Sequence, residues 1–409
     1  MIVEDELGLS FTASGDEGPV RFNAALEKYL ASDAATMPAI EEAIQADPDM
    51  PMAQLFRAYL LKLAADPRFS QAIDECARTL AASANLNERE AMHRQALEAW
   101  RENRLDAAVR IFDDIVLRFP KDMLALRVAH YLHFYGEGGE AMLASISAAA
   151  DQWRDGDRFL GYFRGMQCFA LEESGRYTEA ESAGREALEI NPADVWAAHA
   201  VTHVMQMQGR FAEGIPFVES LKSNWSHVNN FVNHMHWHQA LLHIGTGQPE
   251  RALGIYDDLL VEPIKDDFYL DVCNAASLLW RLTMLGVDVG ARWQDLVDIS
   301  RHRVEDRELV FSTLHYLMAP TMLGDSETTN RCLASMKQWA TSDDTQARVC
   351  RDVGQQLAAA VSLLGSDNPA EGARLLAEVQ HHISRIGGSH AQRNLFDQLI
   401  THYTKQGTE

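Results

Sequence analysis

Proline and alanine recur along this 409-residue chain at a spacing that few architectures satisfy. Pro48, Pro120 and Pro192 fall 72 residues apart, and so do Ala108, Ala180 and Ala252. Pro120-Lys121-Asp122 and Pro192-Ala193-Asp194 repeat one Pro-x-Asp turn. A fixed period of this size marks a supersecondary unit that cannot bury its apolar face alone and stacks on copies of itself. Within the copy around Ala180, Gly175 ends one helix because glycine reaches positive φ there. Small Ala180 and Ala187 admit a paired helix closely, and Pro192 stops the helix that follows. Apolar residues recur at three- and four-residue spacing, and alternating β-branched runs are few, so a strand-based reading fails.

Seventy-two residues make two units of about 36, close to the roughly 34 of a tetratricopeptide (TPR) repeat. The spacing predicts helices from roughly 20–32 to roughly 390–404, among them 122–135, 158–174, 194–208, 227–245, 306–322 and 345–365. The expected fold is all-α: an α-solenoid of degenerate TPR-like hairpins, strongly curved around a concave central pocket. Residues 19–409 are expected as a single array and 1–18 as a poorly structured segment.

Charge narrows the partners. With 59 acidic and 36 basic residues the formal net charge is −23, which repels phosphate backbones and anionic lipid. No nucleic-acid or membrane role is expected. Hydrophobic residues make up 47% of the chain, enough for a continuous core. No uncharged apolar stretch approaches the roughly 20 residues of a membrane span. The acidic start Met1-Ile2-Val3-Glu4-Asp5-Glu6 lacks the layout of a secretory signal. Cys76, Cys168, Cys273, Cys332 and Cys350 are odd in number and form no CxxC, as in a cytoplasmic protein with buried thiols.

Several stretches go beyond the generic repeat framework. They are Asp122-Met123-Leu124-Ala125-Leu126, His199-Ala200-Val201-Thr202-His203 with Met207, and His234 with Trp237-His238. Others are Arg292-Trp293, Arg351-Asp352-Val353-Gly354 and Gly387-Gly388-Ser389-His390-Ala391-Gln392-Arg393. In these the chain resembles the tetratricopeptide repeat protein 38-like family, from about Phe22 to His402. The resemblance implies an α-solenoid of degenerate repeats and brings no reaction with it.

Chemistry concentrates in the histidines. Of sixteen, His199, His203, His227, His234, His236, His238 and His243 lie within one stretch. His199/His203 and His234/His238 are each i,i+4, so each pair shares a helix face. By the repeat register both helices are first helices of hairpins, which line the inner wall of TPR arrays. A metal reading takes His199, His203, His234 and His238 as ligands of zinc or a similar divalent ion, with Asp271 as the nearest carboxylate. HAVTH lacks the glutamate of the HExxH protease signature. A metal-free reading uses His199, His203, His238 and His315 for proton transfer, with Asp271 orienting a ring and Arg393 gripping a ligand anion. The bland reading makes these histidines structural.

Tyr131, Tyr135, Tyr162 and Trp237 are candidates for an aromatic wall, and Gln392 and Arg393 for polar ligand contacts. Each has a packing alternative, and Gly387-Gly388-Ser389 reads more simply as a helix stop followed by the Ser389 N-cap. Two functions compete. One is a His-lined pocket that binds a small molecule, with acid–base or metal-assisted chemistry upon it. The other is a non-catalytic scaffold holding a peptide or protein in the groove. Homo-oligomerisation stays open. The inner helices offer His, Trp, Met and Tyr where peptide grooves commonly present Lys, Arg and Asn, and this favours the pocket.

Overall fold

The structure, a computed structural model, describes residues 1–83 and 85–406. The helices expected as one array pack as two compact units: unit 1 is Met1–Val204 with Glu219–Val232, and unit 2 is Met205–Val218 with Asn233–Glu409.

Unit 1 opens with strands β1 (Ile2–Glu4) and β2 (Ser10–Thr12), paired antiparallel. The helices that follow are α1 (Glu17–Leu30), α2 (Thr36–Ala46), α3 (Pro51–Leu63), α4 (Ser70–Ala82), α5 (Glu88–Arg101), α6 (Leu105–Arg118), α7 (Met123–Phe134), α8 (Gly139–Ala149), α9 (Leu160–Glu173), α10 (Tyr177–Ile190) and α11 (Val195–Met207), whose last three residues, Met205, Gln206 and Met207, belong to unit 2. They pair successively as hairpins, α1 with α2 through α9 with α10. The periodic residues sit where the period requires them. Ala108, Ala180 and Ala252 are fully buried, and Gly175 takes φ +73° after α9. A Cβ on Gly184 of α10 would lie 2.4 Å from Val201 and 2.7 Å from the Cys168 sulfur, so α9, α10 and α11 meet at a point without room for a side chain. Asp122 caps α7 through the Ala125 N–H, and Asp194 caps α11 through those of Trp196 and Ala197.

The first residues depart from expectation. Within residues 1–18, residues 2–12 form a docked hairpin and α1 already begins at Glu17, so the segment is not loose. Leu9, Phe11 and Ala13 alternate inward and are buried. Glu90 of α5 accepts from the Thr12 N–H and hydroxyl, both at 2.7 Å, and Arg89 donates to the Ser10 carbonyl. Three-residue strands are too short to show a period, and their partners lie nearly 80 residues away, so only packing reveals them. Unit 1 also returns on itself. Residues 227–229 reach the α1–α2 turn, where the Ala34 N–H donates to the His227 carbonyl and the Asn229 N–H to that of Ser32.

Unit 2 comprises most of α12 (Phe211–Leu221) and α13 (Phe231–Gly245), then α14 (Pro249–Ile255), α15 (Tyr269–Met284), α16 (Trp293–Arg303), α17 (Val310–Tyr316), α18 (Met318–Leu323), α19 (Ser326–Trp339), α20 (Thr345–Val349), α21 (Gln355–Leu364), α22 (Pro369–Val379) and α23 (His390–Gln406). The helix expected at 306–322 is broken into α17 and α18 at Leu317, and the one at 345–365 contains a π turn at Cys350–Gly354. Every residue of α15 from Asp271 to Leu282 is buried, which makes it the core helix of the unit. No helix among the described residues is long and apolar enough to cross a membrane.

Candidate functional site

Packing decides what each histidine pair faces. The two pairs fall one in each unit.

In unit 1, His199 and His203 project from one face of α11 with ring centroids 4.4 Å apart and Nε2 atoms 2.9 Å apart. Both rings are buried. Behind His203, the fully buried Glu172 of α9 brings Oε2 to 3.4 Å from Nδ1, long for a hydrogen bond but close for an ion pair. The result is a carboxylate–imidazole–imidazole chain out of water. Around its His199 end stand the stacked Phe169 ring, the edge of Phe231 and the Trp196 indole, with centroids at 5.4, 5.1 and 5.2 Å.

Next to this lies a group of donors. Arg127 of α7 stacks 3.8 Å over Trp196 and hydrogen-bonds to Tyr29 of α1. His130, one turn on, is 4% exposed and packs on Phe169 and Trp196. Neither His130 nitrogen nor the Trp196 Nε1 has a hydrogen-bond partner among the described residues. Burial, reinforced by Arg127 and His133, holds His130 well below the usual imidazole range, so the ring is neutral at pH 7. Asp194 beneath is lifted by burial to about 6, against the pull of the Ala197 N–H, Arg127 and the Trp196 N–H.

In unit 2, His234 and His238 share a face of α13 with centroids 4.7 Å apart. The His234 Nδ1–H donates to Asn274 Oδ1 at 3.0 Å, and the His238 Nδ1–H to Gln206 Oε1 at 2.9 Å. An amide oxygen only accepts, so each ring carries a proton on Nδ1. Trp237 is a core residue: its Nε1–H donates to Ser277 at 2.9 Å and its ring stacks on His234.

The other predicted residues are placed as follows. Asp271 is buried on α15 and accepts from Asn233 at 3.2 Å. His315 is buried on α17, donates from Nδ1 to the Phe311 carbonyl at 2.8 Å, and is lowered by burial to about 4. The Gln392 amide closes a capping box with Ser389, accepting from its N–H at 2.8 Å, so its oxygen serves the start of α23. Arg393 donates to the Gly388 carbonyl. Tyr131 and Tyr135 pack on each other, with Tyr131 also against Trp100. Half-buried Tyr162 on α9 is raised above the usual phenol range, chiefly by burial.

Arg127, His130 and Glu172 join the site although no motif in the sequence singles them out. A signal existed for the first: Arg127 and Tyr131 stand 72 residues before His199 and His203, in the register that equates Asp122 with Asp194. Glu172 had none, because a glutamate near a helix end is ordinary until packing buries it.

No family model matches the chain. Among solved structures it is similar to the crystal structure of the P58(IPK) TPR domain, at 15% identity over 76% of this chain and 89% of that one, with a TM-score of 0.23. The chain is an all-α protein of TPR-like helical hairpins, a conclusion carried by its own paired helices and 72-residue period.

Proposed function

We propose that unit 1 binds a small molecule against α7, α9 and α11 and transforms it by proton transfer through His199. The observation that carries this is the buried Glu172–His203–His199 chain. A carboxylate facing His203 Nδ1 favours a proton there, which leaves His203 Nε2 to accept from His199 Nε2–H. The His199 Nδ1 lone pair is then the base, held among Phe169, Trp196 and Phe231. Arg127, His130 and the Trp196 N–H supply donors for oxygen atoms on the ligand. An apolar wall with a few convergent polar groups is the usual make-up of a small-molecule site.

Native mass spectrometry of purified protein after incubation with a cell metabolite extract tests this. A bound small molecule should be retained by wild type and lost in Arg127→Ala and His199→Ala. A retained peptide, or no retained mass, sinks the reading, and the peptide would favour a scaffold instead. Histidine NMR adds a chemical check, since Glu172→Gln should shift the His203 tautomer.

A second reading, metal-assisted chemistry, is favoured by the imidazole orientations. Two nitrogens bound at about 2.0–2.1 Å to one ion stand about 2.9–3.4 Å apart, and the His199 and His203 Nε2 atoms fit that range. Carboxylates and amide oxygens behind Nδ1, here Glu172, Gln206 and Asn274, are the partners that orient metal-binding histidines. Elemental analysis separates the readings. Stoichiometric zinc or a similar metal lost in His199→Ala/His203→Ala supports an ion at that pair, and metal-free wild type ends this reading.

We also propose kinship with the tetratricopeptide repeat protein 38-like family, on the HAVTH, Arg351–Gly354 and Gly387–Arg393 stretches, and a cytoplasmic location, which suits five buried free thiols.

A further inference from the structure

Unit 2 holds a cleft that the histidine pairs do not explain. Two adjoining spaces of about 490 and 220 Å³ lie among α13, α15 and α23. They share Ile244, Arg281, Asn394 and Gln398. Met207, Phe211, Leu241 and Ile244 give the smaller space an apolar wall, alongside the polar Gln206, Arg281, Asn394 and Gln398. Asp397 and Lys405 both line the larger one, so their charges offset.

Arg281 is the anomaly. It is 3% exposed, and no carboxylate forms an ion pair with it among the described residues. Its guanidinium donates to the Ser277 carbonyl at 3.2 Å and the Ala391 carbonyl at 3.0 Å, and lies 5.7 Å from the Trp237 ring. Burial alone lowers it to about 9, so it is charged at pH 7. Two carbonyl dipoles do not replace a counter-ion, and an uncompensated buried charge costs several kcal/mol. A methionine of similar length would fill the place more cheaply. The cost is offset if an anion enters the cleft and meets the planar fork.

We infer that this cleft binds a small apolar carboxylic acid, with its carboxylate on Arg281 and its hydrocarbon body toward Met207, Phe211 and Leu241. One net positive charge, with the neutral amides of Asn394 and Gln398 beside it, matches a monoanion. A phosphate dianion calls for a second unmatched cation. The combined space suits a ligand of drug-like size or smaller. This inference is independent of the proposal for unit 1.

The probes are octanoate, 1-octanol and octyl phosphate, each below its aggregation concentration, titrated calorimetrically into the full-length protein. Octanoate should bind at least tenfold more tightly than 1-octanol and more tightly than octyl phosphate. Arg281→Met should lose at least tenfold in octanoate affinity while melting no lower than wild type, because it removes an unpaired buried charge. Should that variant fail to fold, Ile244→Trp fills the shared space from α13 and should abolish octanoate binding in a folded protein. Equal affinity for octanoate and 1-octanol, tighter binding of octyl phosphate, undiminished binding in a folded variant, or no octanoate binding overturns the inference.

Discussion

Asp194→Asn should stabilise the protein above pH 6, although it replaces a helix-capping carboxylate. Asp194 is fully buried and accepts from the Trp196 and Ala197 N–H groups through Oδ1, at 2.9 and 3.0 Å. Its Oδ2 has no hydrogen-bond partner among the described residues. Burial therefore outweighs the cap and the attraction of Arg127, and the carboxyl titrates at about 6 against 3.8 ordinarily. The sign follows from linkage. Between pH 4 and 6 the unfolded chain releases this proton while the folded one retains it, so stability falls with rising pH and levels off above 6. At 1.36 kcal/mol per factor of ten, the penalty at pH 7.5 is at most about 3 kcal/mol. Asparagine keeps the capping oxygen and carries no charge. Thermal melts followed by tryptophan fluorescence should show no difference near pH 4, then a gain that grows to a plateau above pH 6. For a unit of roughly 200 residues, about 2–4 °C per kcal/mol puts the plateau at no more than roughly 6–12 °C. A pH-independent difference, or a variant less stable than wild type at pH 7.5, would contradict a carboxyl held protonated by burial at Asp194.

The equivalent substitution one double repeat earlier should act in the opposite direction. Burial raises the Asp122 carboxyl too, but His93 and Arg89, at 2.9 and 2.8 Å, outweigh it and hold the group well below the usual range. That stability is present above the unfolded pKa near 4 and is lost on acidification, and Asp122→Asn should cost about 3–5 kcal/mol at pH 7 by leaving Arg89 buried and unpaired. Denaturant melts at pH 7 check it, and a loss under 1 kcal/mol contradicts the network. Gly184→Ala should lower stability by about 1–3 kcal/mol or more, since its Cβ would strike Val201 and Cys168. An unchanged melting temperature would mean that α9, α10 and α11 have room for a methyl group at this point.

Much of the fold was legible because a repeat writes its packing rules into spacing. Ala180 must be small where two helices touch, Gly175 must turn, and Pro192 must stop a helix, and these constraints are local enough to read without coordinates. The N-terminal hairpin was not legible, since its stability comes from Glu90 and Arg89, far along the chain. The helix expected at 345–365 hid a π turn for a different reason: periodicity reports the average face, not a single extra residue.

For the candidate site, sequence alone put His199 with His203 and His234 with His238, because i,i+4 on a helix is a geometric certainty once the helix is granted. It did not show that the Gln392 amide oxygen closes the Ser389 cap. Tertiary packing alone decided that a buried Glu172 stands behind His203, that amide oxygens fix both rings of the α13 pair, and that Arg281 lies buried beside a cleft with no carboxylate paired to it among the described residues. Periodicity determines which side chains share a face. What that face meets, and hence its charge and proton balance, depends on neighbours that only folding brings near.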